Sequence, residues 1–258
     1  MNLLSVVIIT CNEERNIREC LESVKWADEI IIVDAYSRDK TLEIAGKYTD
    51  KVFLNEWMGF GPQKNLGIDK ATSSWILIVD ADERITQELR VEIEDRLSNP
   101  SCNRFVGYQV PRRNYFYGKW VRWGGAYPDY QLRFFRKDSG RYNDLPVHEN
   151  LILQGLIGHL KNPIDHLADR CISDRFIKLD RYSALGAKET AKMKGRVRWY
   201  DIGFRPIAPF IKAYVLKKGY RDGIYGLIYG TFAGFYTFSK YVKLWEMLKE
   251  SKRSRETA

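Results

Sequence analysis

At 258 residues, 45% hydrophobic and 29% charged, with 8 Pro and 19 Gly, the chain has the composition of one folded domain, alone or with an appendage. Disordered and collagen-like classes are excluded, and the scattered cysteines Cys11, Cys20, Cys102 and Cys171 make neither a zinc ribbon nor a disulfide scaffold, which fits a reducing compartment. The net charge of +9 is uneven: residues 170–258 hold 20 Lys and Arg against 8 Asp and Glu, a balance of +12, which leaves −3 for residues 1–169. A polyanion partner for the C-terminal third alone is implied, either nucleic acid or an anionic membrane surface, with a plain solvated basic face as the alternative. The N-terminal apolar run covers only Leu3 to Ile9 and has no basic flank, so a secretory signal is not expected.

The first hundred residues alternate strand and helix. Ser5–Thr10 is a continuous β-branched run, as in a strand buried on both faces, and Asn12–Trp26 has apolar positions at helical spacing. Glu29–Asp34 and Lys51–Leu54 read as strands, with Thr41–Tyr48 as the helix between them; Gln63–Ala71 is a helix, Trp75–Asp80 a strand, Gln87–Leu97 a helix. This rhythm predicts an α/β fold whose mostly parallel sheet is covered by helices. Ligands of such sheets bind beyond the carboxyl ends of the strands, where Thr10, Cys11, Asn12, Glu13, Asp34, Asp80 and Asp82 stand.

No GxGxxG or GxxxxGK[ST] follows any of these strands, so dinucleotide and P-loop readings lose their support. Asp80-Ala81-Asp82 ends a buried strand instead. In extended chain the two carboxylates point the same way and can address one hard cation, Mg²⁺ or Mn²⁺. The plain alternative is a surface turn, or an Asp82 that caps the next helix.

Three ordered segments, Ser5-Val-Val-Ile-Ile-Thr-Cys-Asn-Glu-Glu14, Ile31-Ile-Val-Asp-Ala-Tyr-Ser-Arg-Asp-Lys-Thr41 and Ile78-Val-Asp-Ala-Asp-Glu-Arg84, together resemble the family 2 glycosyltransferases of GT-A fold over roughly residues 1–150. Trp57-Met-Gly-Phe-Gly-Pro-Gln-Lys-Asn65 is similar to the WaaE/KdtX branch of lipopolysaccharide core enzymes. The resemblance implies that Thr10 and Asn12, with Glu13 or Glu14, line a nucleotide pocket, and that Asp34 meets uracil or ribose, although Ala35 stands where many relatives have a second acid. It implies Lys64 and Asn65 near the diphosphate or sugar, Asp80 at the ribose or sugar, and Asp82 on the metal. A cation and a lysine would neutralise the departing nucleoside diphosphate.

Residues 101–168 read as an acceptor-side half, with strands at Phe105–Val110 and Asp129–Arg136. Trp120, Trp123 and Tyr127 are placed to stack on a sugar ring or to serve as core aromatics. An inverting transferase needs one carboxylate to deprotonate the acceptor hydroxyl; Asp129, at a strand start after Tyr127-Pro128, is the first choice and Glu149 the second. The structural alternative for Asp129 is a strand-capping or Arg-paired acid. His148 is a candidate to complete the metal or diphosphate site, as a downstream histidine does in related GT-A enzymes, and Arg133 and Arg136 either reach the diphosphate or pair with acids.

Residues 169–258 read as a basic, aromatic helical region, with an amphipathic helix over Ile172–Met193. Gly223–Ser239 is 17 residues without a charge, about 25 Å as a helix and short of a ~30 Å hydrocarbon core. Gly226, Gly230 and Gly234, at four-residue spacing, predict close approach of another helix. An interfacial or re-entrant hairpin on an anionic membrane through residues 200–250 is expected, against a soluble subdomain or a homo-oligomer contact; nucleic acid is disfavoured. The sequence therefore predicts a metal-dependent, inverting transferase that moves a hexose from a UDP-sugar, UDP-glucose or UDP-GlcNAc favoured, to a lipid-linked saccharide at the cytoplasmic face of a bacterial inner membrane. A sugar nucleotidyltransferase and a non-catalytic membrane scaffold on the same fold are the alternatives.

Overall fold

The structure, a computed structural model, describes residues 4–99, 104–143 and 150–256. In chain order the elements are β1 (Leu4–Thr10), α1 (Ile17–Val24), β2 (Glu29–Asp34), α2 (Thr41–Ala45), β3 (Val52–Leu54), α3 (Phe60–Lys70), β4 (Trp75–Asp80), β5 (Glu83–Ile85) and α4 (Gln87–Ser98). There follow β6 (Phe105–Phe116), β7 (Lys119–Trp120), β8 (Asp129–Arg136), β9 (Gly140–Tyr142), β10 (Leu151–Leu153), β11 (Leu156–His159) and β12 (Ile164–Asp169). The last are α5 (Ile172–Met193), α6 (Trp199–Gly203), α7 (Ile207–Ile211) and α8 (Ile224–Glu256). Two compact units result: Met1–Arg113 with Asp129–His166, and Asn114–Pro128 with Leu167–Ala258. The segment 114–128, which the sequence pattern groups with an acceptor half ending at residue 168, thus belongs with the C-terminal region.

In the first unit β1, β2, β3 and β4 are parallel, in the order β3-β2-β1-β4, and β8 and then β6 extend the sheet antiparallel. Every residue of β1 is buried, because its alternating side chains serve two cores. Val6 and Ile8 pack with Ile17, Leu21 and Val24 of α1, while Val7 and Ile9 pack with Ile68 of α3. That two-sided burial is the reason the strand is a run of β-branched residues without polar alternation. On one side α3 lies so close that a Cβ on Gly67 would fall 2.2 Å from Val7 Cγ1. Only a residue with no side chain fits there.

The amino ends of these strands are tied by one buried acid. Glu29 accepts hydrogen bonds from Ser5 Oγ, from Lys51 Nζ, and from Thr72 through both its N–H (2.8 Å) and its hydroxyl (3.0 Å). Burial works against its charge, but the bonds from Lys51, Ser5 and Thr72 outweigh it and hold the carboxyl at about 2. The knot lies at the edge of the sheet opposite Thr10, Asp34 and Asp80.

The second unit is built on α5 and α8. The uncharged stretch runs within one helix, α8, of 33 residues and is not a hairpin in itself. Its partner arm is supplied by α7, the π-helical turn Lys212–Leu216 and the 3-10 turn Gly219–Asp222. The glycine spacing explains the contact. A Cβ on Gly226 would lie 1.8 Å from Gly219 O, on Gly230 3.2 Å from Tyr214 Cβ, and on Gly234 2.8 Å from Pro206 O. Asp222 is buried and accepts the main-chain N–H groups of Arg122 (3.0 Å) and Trp123 (2.7 Å), which fixes the aromatic loop of this unit. Among the described residues, no helix is long and apolar enough to cross a membrane.

Candidate active site

The strand order reverses between β1 and β4, so the crevice beyond the carboxyl ends of β2, β1 and β4 is where a ligand of this sheet belongs. Thr10, Asp34 and Asp80 occupy those ends, with the first pair in register across the sheet. Asp34 is fully buried: its Oδ2 accepts from Thr10 Oγ1 (2.6 Å) and Ser37 Oγ (2.6 Å), and its Oδ1 from Ser37 N (2.7 Å). It holds the loop after β2 from within. Asn12, exposed and at φ 57°, braces the same loop by donating its N–H to Ser37 Oγ (2.7 Å) and accepting from Arg38 N (2.9 Å). Glu13 donates its N–H to Thr41 Oγ1 (2.8 Å) and accepts from Asn16 Nδ2 (2.7 Å).

These ties explain why α1 begins at Ile17 and not near Asn12: residues 11–16 are used as a polar rim. On the same rim Tyr36, a residue that the sequence pattern gives no reason to select, is 54% exposed with φ 54°. A bulky residue in the left-handed region is uncommon enough to mark a site where the surroundings impose the conformation.

At the end of β4 the charges form an alternating ladder. Lys64, on α3 and only 3% exposed, has its Nζ 3.6 Å from Asp80 Oδ1, with the rings of Phe60 and Tyr142 beside it. Arg133 of β8 pairs with Asp80 Oδ2 and lies 3.0 Å from Glu83 Oε1. Arg112 of β6 lies 3.6 Å from the same Glu83 oxygen and grips Asp129 Oδ2 through Nε (3.0 Å) and NH2 (2.7 Å), while Gln131 donates to Asp129 Oδ1 (2.7 Å). Burial opposes the charge on Asp80, but the guanidinium of Arg133 and the ammonium of Lys64 overcome it and hold its carboxyl well below the usual carboxylate range. Burial also opposes the charge on Arg133, and the carboxylates of Asp80 and Glu83 outweigh it and raise that group further.

The ladder separates the two carboxylates of the Asp80-Ala81-Asp82 sequence. The chain leaves the strand at Asp80 and turns, so the shared direction expected of an extended i, i+2 pair does not hold. Asp80 faces Lys64 and Arg133; Asp82 Oδ2 lies 3.3 Å from His166 Nε2. His166 arrives there because β12 pairs antiparallel with β5 and sets it opposite Glu83.

Among the described residues no group of three or more His, Cys, Asp and Glu is arranged to hold a metal ion. Asp82 and His166 nevertheless fit a divalent cation that keeps water and diphosphate oxygens as its other ligands. Two donors on one ion at bond lengths of about 2.1 Å sit roughly 3 Å apart.

Lys64, Asp80, Asp82, Arg133 and Asp129 therefore come together with Glu83, Arg112 and His166, none of which the sequence pattern assigns a role. Asn65 serves the framework: its carboxamide accepts from Tyr142 N (2.9 Å) and donates to Tyr142 O (2.9 Å), joining α3 to β9. Arg136 stacks on Trp75 within the sheet. His148 and Glu149 lie outside the described residues. In the second unit, Arg122 covers the ring of Trp120 at 4.0 Å and Arg221 that of Trp123 at 4.6 Å, so this loop presents cations on its aromatic faces.

Residues 5–148, more than half of the chain, match the model of glycosyl transferase family 2. The chain belongs to this family. As a family 2 glycosyltransferase it has relatives over nearly its full length. It is 28% identical to the lipopolysaccharide core biosynthesis glycosyltransferase LpsC of Rhizobium meliloti, over 94% of this chain and 92% of that one. It is 27% identical to an uncharacterised glycosyltransferase of Rickettsia typhi, over 98% and 90%. Among solved structures, residues 1–349 of S. aureus TarS in complex with UDP align at 15% identity over 92% and 90% of the two chains, with a TM-score of 0.48. Glucosyl-3-phosphoglycerate synthase of Mycobacterium tuberculosis with Mg²⁺ and UDP aligns at 20% identity over 43% and 44%, with a TM-score of 0.36. The chain is a glycosyltransferase with a mixed α/β, GT-A-like fold that resembles lipopolysaccharide core enzymes.

Proposed function

We propose that this glycosyltransferase moves a hexose from a UDP-sugar, UDP-glucose or UDP-GlcNAc favoured, to a lipid-linked saccharide, in lipopolysaccharide core or a related envelope glycan, at the cytoplasmic face of the inner membrane. The observation that carries the reading is the junction at the end of β4, where the Asp82–His166 pair, suited to a divalent cation, stands beside buried Lys64 and Arg133. Asp82 and His166 would hold a Mg²⁺ or Mn²⁺ ion, which would neutralise charge on a diphosphate. Lys64 and Arg133, oriented by Asp80 and Glu83, would add fixed positive charge at the end of the same strand, so little reorganisation is required as the leaving group forms. Thr10, Asn12, Asp34 and Tyr36 shape the rim that receives the nucleoside. The name of the Rhizobium meliloti relative supports the saccharide acceptor.

Asp129 takes the acceptor proton. The acceptor oxygen then bonds to the anomeric carbon as the bond from that carbon to the diphosphate breaks, so an α-linked donor yields a β-linked product and UDP leaves. Arg112 and Gln131 fix the orientation of the Asp129 carboxylate. Glu149 is the alternative base.

The test is release of nucleoside diphosphate from a panel of UDP-glucose, UDP-galactose, UDP-GlcNAc, UDP-glucuronate and GDP-mannose, with Mn²⁺ or Mg²⁺ against EDTA. Metal-dependent turnover of one UDP-sugar, lost in Asp82→Ala with circular dichroism unchanged, is the expected result. Wild-type turnover in that variant, or in EDTA, overturns the metal assignment. Neither turnover nor calorimetric binding of any UDP-sugar overturns the donor.

A further inference from the structure

The glycines of the uncharged stretch of α8 carry the partner arm, while Ile224, Leu227, Phe235 and Phe238 of that stretch stay exposed. The arm itself carries a further run of exposed apolar residues. Phe204, Ile207, Ile211 and Val215 recur at three- and four-residue spacing, which sets them in one stripe, and they are 60, 46, 42 and 50% exposed. Trp199 at 73% and Leu216 at 71% extend the stripe at its two ends. A neighbouring face of the arm, with Pro206, Phe210 and Tyr214, meets Gly234 and Gly230 of α8, so the stripe itself is left uncovered by that helix.

Within the arm the exposed charges have one sign. Asp201 and Asp222 are buried, and every charged residue between them is basic: Arg205, Lys212, Lys217, Lys218 and Arg221. Single exposed apolar side chains are ordinary on a protein surface, but six within eighteen residues, bordered by cations and no exposed acid, are not. An isologous contact with a second copy would bring these like charges together, and a nucleic acid has no use for an apolar stripe. An anionic bilayer satisfies both parts: lipid phosphates meet Lys and Arg, while side chains enter the first ~5–10 Å below the headgroups.

We propose that the 199–221 arm is a membrane-docking edge, which inserts its apolar stripe into the interfacial layer of an anionic bilayer without crossing it. This deepens the reading of a lipid-linked acceptor and rests on it for its purpose, while its physics is independent of catalysis.

The experiment is flotation of the purified full chain with vesicles of phosphatidylglycerol and phosphatidylcholine, against phosphatidylcholine alone. Binding at least tenfold stronger to the anionic vesicles is expected, weakened by salt. Phe204→Ser with Leu216→Ser, at two well-exposed positions, is expected to reduce binding at least tenfold with unchanged circular dichroism, and Lys212→Glu with Lys218→Glu to reduce it several-fold. Wild-type protein that floats with neither vesicle, or a Phe204→Ser/Leu216→Ser variant that floats like wild type, overturns the proposal. So does sedimentation showing a dimer that this variant dissolves, which assigns the stripe to a second copy. Nucleotide release measured without vesicles reads catalysis separately: wild-type protein that turns over a donor yet floats with neither vesicle overturns the docking edge alone, and wild-type protein that floats but turns over no donor overturns the catalytic reading alone.

Discussion

Glu29→Gln removes one charge from the far edge of the sheet and preserves the shape of the side chain. In the folded protein the Glu29 carboxyl sits at about 2, against 4.5 for an ordinary glutamate. At 1.36 kcal/mol per decade, that difference contributes about 3 kcal/mol to folding at pH 7. A depressed carboxylate gives stability that is complete above the unfolded value and is lost as pH falls through the folded one. The gap between wild type and variant is therefore expected to be about 3 kcal/mol at pH 7 and to narrow to about 1 kcal/mol at pH 3. Urea denaturation followed by circular dichroism at the two pH values measures it, and a Tm lower by roughly 6–12 °C accompanies it. Because Glu29 ties the amino ends of the strands, the variant should keep the wild-type KM for donor. A cost below 1 kcal/mol at pH 7, or a gap equal at both pH values, refutes the reasoning.

Gly67→Ala drives a methyl group into Val7 and is expected to cost about 1–3 kcal/mol in thermal unfolding, largely regained in Gly67→Ala/Val7→Ala. Arg133→Met leaves Asp80 and Glu83 without their shared guanidinium; about 3–5 kcal/mol of stability and most of the turnover should be lost, measured by denaturation and nucleotide release. Tyr36→Ala is expected to raise donor KM about tenfold with little change in kcat if the exposed ring stands where we propose the nucleoside binds. Asp222→Ala releases two main-chain N–H groups of the Arg122–Trp123 loop, and hydrogen exchange of those amides should accelerate at least tenfold.

The strands of the parallel half were legible because their apolar runs are continuous: Glu29–Asp34 and Trp75–Asp80 have the expected bounds, as do the antiparallel strand Asp129–Arg136 and the helix Ile172–Met193. Helix boundaries at the crevice were not. The helical periodicity of Asn12–Trp26 continues through residues whose polar groups are taken by Ser37, Asp39 and Thr41, and α3 starts at Phe60, earlier than Gln63, since Gly61 and Pro62 are tolerated in a first turn. The glycine spacing of α8 correctly announced a close neighbour, but it could not say that the neighbour would be residues 206–219. Within the candidate site the acids at strand ends stand out in the sequence. Glu83, Arg112 and His166 do not, because their proximity depends on cross-strand register: Arg112 meets Asp129, and His166 meets Glu83, only once β6–β8 and β5–β12 are paired. Register is a tertiary fact that no local window contains.

The ladder from Lys64 to Asp129 has three cations and three anions in strict alternation. Such a strip has no monopole, and its potential dies away within a few ångström. Without a cation on Asp82 and His166 it exerts little pull on an anion in bulk solvent. Any attraction the ladder itself has for an anion is then short-range and little affected by salt, in contrast to a basic C-terminal third whose field reaches out by a full Debye length.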